Sequence, residues 1–162
     1  NPGEMKVAVE PAAFEEKAVL RRLLELYIYD FMEYLPLALN EHGEFGYRYL
    51  DHYWAPDDGE TRLPFLVRAD GKFAGFAFVR RTGVGPWKMA EFFVMRAYRR
   101  AGVGSRAARE VFARCPGPWE VHEVLANTPA QAFWRRIIGE VTGGQFEDET
   151  TDGVLQRFTI TG

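Results

Sequence analysis

The fold is decided by the stretch EFFVMRAYRRAGVGS, which spans residues 91–105. Its apolar first part, interrupted by a single acid, predicts a strand that is buried on both faces. A basic turn follows and leads into a helix, and Gly102 and Gly104 let a ligand come close to the backbone there. Because successive N–H groups of such a turn point at one spot, we expect an anion-binding site. The charges of Arg99 and Arg100 beside it favour a pyrophosphate over a carboxylate.

Two common phosphate-binding loops can be compared with this stretch by their spacing. A P-loop needs a lysine immediately before its Ser or Thr, and Gly104 precedes Ser105 here, so that loop is excluded. The dinucleotide pattern G-x-G-x-x-A matches residues 102–107, and Glu123 follows at a suitable distance. However, the first glycine of that pattern should close the strand directly, and residues 95–101 intervene. A nucleotide-binding module therefore remains only a distant alternative.

The sequence on either side of this stretch predicts a mixed sheet flanked by helices. An Asp70-Gly71 pair between two apolar runs is typical of a two-residue type I′ hairpin, which makes those two strands antiparallel neighbours. A helix between the strand of residues 87–95 and the strand of residues 119–125 requires a parallel crossover. Strands are predicted at residues 6–10, 64–68, 73–80, 87–95, 119–125, 141–147 and 154–160, and helices from about 11 to 34–36, at 104–114 and at 128–138. The prediction is an α/β domain with a mixed, mostly antiparallel sheet of about six or seven strands.

Length and composition limit the chain to one domain. The 162 residues are 47% hydrophobic and 15% aromatic, enough to bury a full core. We assign the domain to residues 5–162 and treat residues 1–4 as an addition before a native Met5. The formal charge of −3 gives no reason to expect nucleic acid or a membrane as partner. Cys115 is the only cysteine, and without an apolar span or a signal peptide we expect a cytoplasmic protein.

The charges are distributed unevenly along the chain. Residues 30–60 contain eight acids and one base apart from histidine, whereas residues 80–114 contain nine bases and two acids. One part would suit a cation and the other an anion, although both patterns also fit solvated faces.

Two motifs resemble those of the GNAT superfamily of acyl-CoA-dependent N-acyltransferases. The family's acyl-CoA loop is an apolar strand followed by Arg/Gln-x-x-Gly-x-Gly/Ala, and residues 92–94 and 99–104 are similar to it. Its second motif, Asn-x-x-Ala-x-x-Phe/Leu-Tyr, resembles the stretch from Asn127 to Trp134. The spacing of the two motifs and the order of strands also match, so the resemblance covers roughly residues 5–160. It implies a GNAT-like sheet that is splayed at the acyl-CoA site.

The resemblance implies a set of residues that bind acetyl-CoA. In the family, the pantetheine arm pairs like an added strand in a gap between the strands of residues 87–95 and 119–125, which a bulge near Phe93 would open. Arg100 or Arg106 would meet the adenosine phosphate. The backbone contacts to the arm would come from Phe92, Phe93 and Val94, the pyrophosphate contacts from Arg99, Arg100, Ala101, Gly102, Val103, Gly104 and Ser105, and further contacts from Asn127, by a hydrogen bond, and Phe133, by packing.

The resemblance identifies the catalytic residues less directly than the acetyl-CoA residues. Trp134 stands where the family often has a tyrosine that protonates the departing thiolate, and an indole N–H is not an acid of that kind. An ammonium acceptor must still lose a proton, for which Glu91 is the first candidate base and His122 or Glu123 the alternatives. Only one of the last two can face the gap, because side chains alternate along a strand. No metal is expected, and a nucleophilic role for Cys115 is disfavoured because no histidine is paired with it.

The expected activity is N-acetyl transfer from acetyl-CoA to a primary amine by direct attack in a ternary complex. The alternative is a catalytically weak acyl-CoA binder or sensor on the same fold, suggested by Trp134. The acceptor would contact the first helix and the acidic, aromatic stretch up to Glu60, which favours a small-molecule amine of cationic character. A homodimer is left open.

Overall fold

The computed structural model describes residues 4–55 and 58–162, so Pro56 and Asp57 of the acidic stretch lie outside it, as do residues 1–3. The strands are β1 (Val7–Pro11), β2 (Glu60–Ala69), β3 (Lys72–Thr82), β4 (Trp87–Val94), β5 (Gly117–Val124), β6 (Glu147–Thr150) and β7 (Gly153–Ile160). The helices are α1 (Lys17–Phe31), α2 (Val103–Arg114) and α3 (Thr128–Thr142), with short 3₁₀ turns at Phe14–Glu16, Leu50–Trp54 and Arg96–Tyr98. Within the described residues no helix has the length and apolarity needed to cross a membrane.

The strands form one seven-stranded sheet in the order β1-β2-β3-β4-β5-β7-β6. Every neighbouring pair is antiparallel except β4 and β5, which are parallel. The predicted mixed, mostly antiparallel α/β sheet is therefore confirmed. The β2–β3 hairpin turns through Asp70 and Gly71, whose φ angles of 51° and 79° are both positive, as a type I′ turn requires.

Helices cover both faces of the sheet, and each face has its own core. On one face α2 and α3 pack against side chains that include Trp87, Met89, Val94, Trp119, Val121 and Phe158. On the other face α1 packs Leu20, Leu23 and Leu24 against Leu66, Phe76, Phe78 and Phe93. We call these the α2/α3 face and the α1 face.

Two predicted elements are wrong in their bounds. The first helix begins at Lys17 rather than near Pro11, because Pro11 still pairs with Phe65 at the end of β1. The predicted strand at 141–147 is instead the end of α3, which continues to Thr142 and stops at Gly143 with φ of 63°. The strand follows only at Glu147, because the helical period of α3 continues past the predicted end at Ile138.

The sheet is splayed between β4 and β5. These strands pair only at Trp87 with Trp119 and at Lys88 with Glu120, and they pair no further toward their carboxyl ends. The splay implied by the resemblance is therefore confirmed. It widens on the side of the sheet where the basic turn after β4 and the start of α3 also lie.

A bulge in β4 lies at Ala90 rather than near Phe93. Phe78 pairs with Glu91 and Val79 with Met89, so Ala90 is the extra residue on β4. Because side chains alternate along a regular strand, Met89 and Glu91 would otherwise share one face. With the bulge, Met89 packs in the α2/α3 core while Glu91 contacts tyrosines on the α1 face.

Candidate active site

A cleft of about 470 Å³ runs along the open edge of β4, and we call it the β4 cleft. The basic turn after β4 and the start of α3 form its other walls. Of the residues predicted for acetyl-CoA, those that line it are Phe92, Phe93, Val94, Arg99, Arg100, Gly102, Gly104, Ser105, Asn127 and Phe133. Ala101 and Val103 are not among the lining residues, and the Val103 side chain is fully buried in the α2/α3 core. Val103 can contribute only its backbone.

The backbone of β4 offers free groups to this cleft at alternate residues. The Met95 N–H donates to Ala74 O at 2.7 Å, on the β3 side of the strand. Because the direction of backbone groups alternates, Phe93 also turns toward β3, and Phe92 and Val94 turn toward the cleft. The prediction that all three residues offer their backbone to a ligand is therefore corrected: Phe93 is occupied by the sheet, and Phe92 is the residue best placed to pair with an extended ligand.

The turn after β4 ends in an exposed helix N-terminus. Gly102 has φ of 79° and is the N-cap of α2, whose first internal bond runs from Arg106 N–H to Gly102 O at 3.1 Å. The N–H groups of residues 103–105 precede that bond and have no acceptor within the helix. They provide the anion site that the sequence predicts, with the helix dipole adding to its positive potential. A side chain at Gly104 would begin 3.4 Å from the ring of Phe133, which closes the cleft at that point.

Arg99 connects this turn to α1. Its Nε donates to Val94 O at 2.9 Å and its Nη2 donates to Asp30 Oδ2 at 2.7 Å. Burial alone would raise the pKa of Asp30, but hydrogen bonds from Arg96 and Arg99 outweigh it and hold that pKa below its usual value. Arg99 therefore has a positioning role in addition to the charge it brings to the cleft.

The other two arginines differ in their surroundings. Arg100 is exposed and lines the cleft, with φ of 64°. Arg106 donates to Met5 O and pairs with Glu4 Oε1 at 3.4 Å, which holds it against the N-terminal segment. Of the two candidates for an adenosine phosphate, only Arg100 lines the β4 cleft.

Asn127 is the N-cap of α3, and among the described residues only the oxygen of its side-chain amide has a hydrogen-bond partner. Its Oδ1 accepts from the Ala130 N–H at 3.2 Å, which caps the helix. Within the described part of the chain no oxygen accepts from Nδ2, so this donor is free in a residue that lines the cleft.

A second cavity of about 240 Å³ lies in the splay itself, between β4 and β5, and we call it the splay cavity. It shares Tyr27, Phe92, Asn127 and Trp134 with the β4 cleft. The two spaces are therefore adjacent, and Glu91 lines the splay cavity.

Glu91 is held by two tyrosines. The Tyr27 hydroxyl donates to Oε1 at 3.0 Å and the Tyr47 hydroxyl donates to Oε2 at 3.2 Å. Burial raises the pKa of Glu91 above its usual value, and the two hydrogen bonds partly offset that rise. A carboxylate with a raised pKa beside a cavity has the properties of a general base.

A third cavity of about 450 Å³ lies on the other side of Glu91, on the α1 face. We call it the tyrosine cavity, because Tyr47, Tyr49 and Tyr53 form much of its wall. Glu91 and Ala90 line both this cavity and the splay cavity. The bulge at Ala90 therefore puts Glu91 at the boundary between the two.

The two alternative bases on β5 lie on opposite faces, as strand alternation requires. His122 is exposed beside Gly153, where any side chain would meet its ring. Glu123 is 4% exposed and accepts from Gln156 Nε2 at 2.8 Å. Burial raises the pKa of Glu123 to about 7. Both residues border the splay cavity, so the expectation that only one of them faces the gap is wrong. Neither borders the tyrosine cavity, which Glu91 does.

Trp134 and Cys115 are both buried in the α2/α3 core. The Trp134 ring packs edge-on against Phe92 at 5.0 Å and Phe133 at 4.9 Å between ring centroids. Burial raises the pKa of the Cys115 thiol to about 11, so it stays protonated and unreactive near neutral pH.

The sequence did not identify the two tyrosines that hold Glu91. Tyr27 and Tyr47 lie 64 and 44 residues away from Glu91 along the chain, and only the packing of α1 and its following loop on the sheet brings them together. The sequence signal was coarser: Tyr27 and Tyr47 lie in the first helix and the acidic, aromatic stretch that we expect to contact the acceptor.

The site combines a splayed sheet, an anion-binding turn at the end of its open strand and an adjacent carboxylate, that of Glu91. The chain belongs to the GNAT acetyltransferase family, whose model, described as "Acetyltransferase (GNAT) family", matches residues 21–139. Membership of this family is consistent with acyl transfer from acetyl-CoA. A search of curated proteins returned no matching sequence.

Solved structures share the fold across nearly the whole chain. An acetyltransferase from Thermus thermophilus is 14% identical with a TM-score of 0.69, covering 96% of this chain and 97% of its own. The PaiA N-acetyltransferase of Thermoplasma acidophilum, solved in complex with coenzyme A, is 11% identical with a TM-score of 0.64, covering 96% and 99%. The ribosomal-protein-S18-alanine N-acetyltransferase of Escherichia coli is 16% identical with a TM-score of 0.60, covering 97% and 96%.

Proposed function

We propose that the protein is an acetyl-CoA-dependent N-acetyltransferase that modifies a primary amine of a small molecule by direct transfer in a ternary complex. The observation that carries this proposal is the position of Glu91. Its carboxylate lies between the splay cavity, which adjoins the β4 cleft, and the tyrosine cavity, which has room for a separate acceptor.

The residues of the β4 cleft fit acetyl-CoA. The free N–H groups at the start of α2 and the charge of Arg100 suit a pyrophosphate. The open backbone of Phe92 and the free Nδ2 of Asn127 suit the amides of the pantetheine arm, and the rings of Phe92 and Phe133 suit its apolar parts. Acetyl-CoA supplies an acetyl group activated as a thioester.

Glu91 would take the proton that the acceptor must lose. An ammonium group has no lone pair, so it cannot attack until it is deprotonated. The raised pKa of Glu91 makes it a stronger base than an exposed carboxylate. Tyr27 and Tyr47 fix the carboxylate by one hydrogen bond to each oxygen, which positions it without supplying a competing acid.

No residue needs to protonate the departing thiolate. A thiol with a pKa of about 8.5 is a good leaving group, and solvent can protonate it after the C–S bond breaks. Glu91 first takes one proton from the ammonium group and releases it to solvent. The free amine then attacks the thioester carbon, so that the C–N bond forms and the C–S bond breaks, and the second proton lost by the nitrogen passes to Glu91 while solvent protonates the thiolate. This route accounts for Trp134 without a loss of activity.

Trp134 also supports the second candidate, a catalytically weak acyl-CoA binder or sensor. The two candidates differ in turnover and agree in binding. Thiol release from acetyl-CoA over a panel of amines separates them: release that depends on the amine supports the enzyme, and acetyl-CoA binding without such release supports the binder.

We extend the proposal to a cytoplasmic location, on the ground that the single cysteine, Cys115, is a free thiol.

Calorimetry tests the cofactor. Acetyl-CoA should bind, and NAD and ATP should bind much more weakly or not at all. Gly104→Val should remove binding, because the new side chain would extend toward the ring of Phe133 and into the cleft. Gly139→Val is the matched control in α3, where a Cβ would lie 3.7 Å from Phe146. If acetyl-CoA fails to bind the parent, or if Gly104→Val binds it like the parent, the site is assigned wrongly.

A further inference from the structure

The tyrosine cavity contains two arginines, and one of them is already neutralised. Arg62 donates from Nη1 to Asp58 Oδ1 at 3.2 Å and from Nη2 to Asp58 Oδ2 at 2.8 Å. Its Nη2 also lies 2.8 Å from Glu60 Oε2. Two carboxylates therefore surround this guanidinium, and it has little capacity left for a ligand.

The other arginine, Arg80, has no such pair. Its nearest carboxylate contact is Nη1 to Glu60 Oε1 at 3.8 Å, which is too long for a hydrogen bond. Glu60 Oε1 instead accepts from the Thr82 hydroxyl at 2.9 Å. Among residues 4–55 and 58–162 no oxygen accepts a hydrogen bond from the Arg80 guanidinium, and its side chain is 46% exposed in the cavity wall.

Arg80 and Glu91 lie at a spacing that suits one small molecule. Phe78 pairs with Glu91 across β3 and β4, and Arg80 is two residues further along β3 on the same face. Two residues of a strand span roughly 7 Å. An amine directed at Glu91 and a carboxylate directed at Arg80 could therefore belong to neighbouring carbons of one acceptor.

The acids that suggested a purely cationic acceptor are largely engaged elsewhere. Asp30 pairs with Arg96 and Arg99, Asp51 with Lys17, and Asp58 with Arg62. Glu60 also lines the cavity, but it pairs with Arg62 and accepts from the Thr82 hydroxyl. The groups left for an acceptor in the described part of the cavity are therefore the base Glu91, the guanidinium of Arg80 and the tyrosine rings. That combination matches a dipolar molecule with an apolar body rather than a polycation.

We propose that the acceptor is a free amino acid with an apolar or aromatic side chain. Arg80 binds its carboxylate, Glu91 receives the proton of its ammonium group, and Tyr47, Tyr49 and Tyr53 contact its side chain. This inference rests on the proposed acetyltransferase function and adds the class of substrate. It requires a free carboxylate, because an amide at that position would have no charge to offer to Arg80.

Matched acceptors test the proposal in a thiol-release assay. Phenylalanine is compared with phenethylamine, which lacks the carboxylate, and with phenylalaninamide, which neutralises it; leucine and isopentylamine form a second pair. We expect kcat/KM for the amino acid to exceed that of its partner by roughly 10- to 100-fold, the range of a charge-assisted hydrogen bond. Arg80→Gln should remove that preference by raising KM for the amino acid. For the carboxylate-free amine only an indirect effect remains, because the charge of Arg80 lowers the pKa of Glu91, so its kcat/KM should change much less than that of the amino acid.

Lys88→Gln is the control for charge alone. Lys88 pairs with Arg80 across the strands, is half-exposed, and does not line the cavity. Its loss should keep the preference for the amino acid. If Lys88→Gln and Arg80→Gln lower the preference for the amino acid equally, the positive electrostatic potential of this region causes it. The proposed contact between the acceptor carboxylate and Arg80 is then wrong.

Binding of the same acceptors to the protein saturated with CoA gives a second readout that needs no turnover. If amines are acetylated but those without a carboxylate are equal or better substrates, the amino-acid proposal fails while the acetyltransferase stands. If nothing is acetylated, the proposed function fails, and calorimetry still decides the acceptor site. Tighter binding of phenylalanine than of phenethylamine, lost in Arg80→Gln, supports the site, and equal or absent binding overturns it.

Discussion

Two carboxyl groups, half-buried Glu91 and buried Glu123, lie on the two sides of the splay, and their hydrogen-bond partners differ. Glu91 on β4 accepts from two tyrosine hydroxyls and borders two cavities. Glu123 on β5 accepts from the amide of Gln156 and is 4% exposed. Burial raises the pKa of both. The depth of burial alone therefore does not distinguish a base from a structural acid, and the hydrogen-bond partners must do so.

The hydrogen-bond partners of Glu91 and Glu123 indicate opposite protonation behaviour for the two carboxyl groups. A tyrosine hydroxyl that donates to a carboxylate stabilises the ionised form, and both Glu91 oxygens have such a donor. Glu123 Oε2 and Gln156 Oε1 are both buried acceptors without a hydrogen bond among the described residues. A proton on Glu123 would supply the donor that these two oxygens lack. We infer that Glu91 exchanges its proton during the reaction, whereas Glu123 holds a proton in the folded protein up to its pKa of about 7.

The largest expected effect is on the acyl-transfer rate. Glu91→Gln should lower kcat by roughly 10²-fold or more, the usual cost of losing a general base, and should leave acetyl-CoA binding near the parental value. Glu123→Gln should stay within about threefold of the parent, because an amide can replace a protonated carboxyl. Steady-state rates with calorimetry of acetyl-CoA check both. The reverse order of effects would exchange the roles of the two residues.

The next effect concerns stability. In the unfolded chain Glu123 ionises near 4.5, whereas in the folded protein its pKa is about 7. Between those values the folded state holds more protons, so the free energy of unfolding falls as the pH rises. Glu123→Gln should reduce that fall and be more stable than the parent at pH 8 by about 1–3 kcal/mol. Denaturant unfolding at pH 5 and pH 8 measures this.

The exposed Glu147 on β6 offers the control for that measurement. Glu147→Gln should leave the pH dependence of unfolding as it is in the parent. If Glu123→Gln also leaves it unchanged, Glu123 is ionised in the folded protein and the inferred proton is absent.

A smaller effect is expected from the tyrosines. Their hydrogen bonds lower the pKa of Glu91, so Tyr27→Phe or Tyr47→Phe should raise it and move the acidic limb of the kcat/KM profile to higher pH. The rate at neutral pH should fall by up to roughly tenfold, as for a lost hydrogen bond to a charged group. Tyr29→Phe, on the exposed side of α1, should change neither. An acidic limb that moves to lower pH in Tyr27→Phe would contradict the positioning role of Tyr27.

The smallest effect is expected at His122. Its side chain is exposed on β5, and substitutions of exposed residues usually change the free energy of unfolding by less than about 0.5 kcal/mol. His122→Ala should therefore turn over within about twofold of the parent, while Glu91→Gln does not. A loss comparable to that of Glu91→Gln would show that the base lies on β5.

The sequence predicted the parts of the site that depend on local chemistry. The glycine turn and the helices that follow it and Asn127 depend on residues adjacent in the chain, and these helices begin at Val103 and Thr128, within one residue of the predicted starts. The register could not be predicted, because an extra residue at Ala90 leaves no signal in an apolar run. The tyrosines on Glu91 and the pairing of Asp30 with Arg99 depend on how α1 packs against the sheet. For this reason the acidic stretch suggested a cationic acceptor although four of its acids, Asp30, Asp51, Asp58 and Glu60, are in ion pairs with lysine or arginine.

The pH dependence of acetyl transfer in the parent and in Glu91→Gln tests the central claim, that Glu91 is the base, most directly. The parent should gain activity with pH through an acidic limb above the ordinary carboxyl range, because the pKa of Glu91 is raised. In Glu91→Gln that limb should disappear, and activity should rise only as the free amine of the acceptor becomes abundant, so the two rates converge at high pH. A Glu91→Gln profile with the parental limb, or a parental rate at neutral pH, would contradict the account.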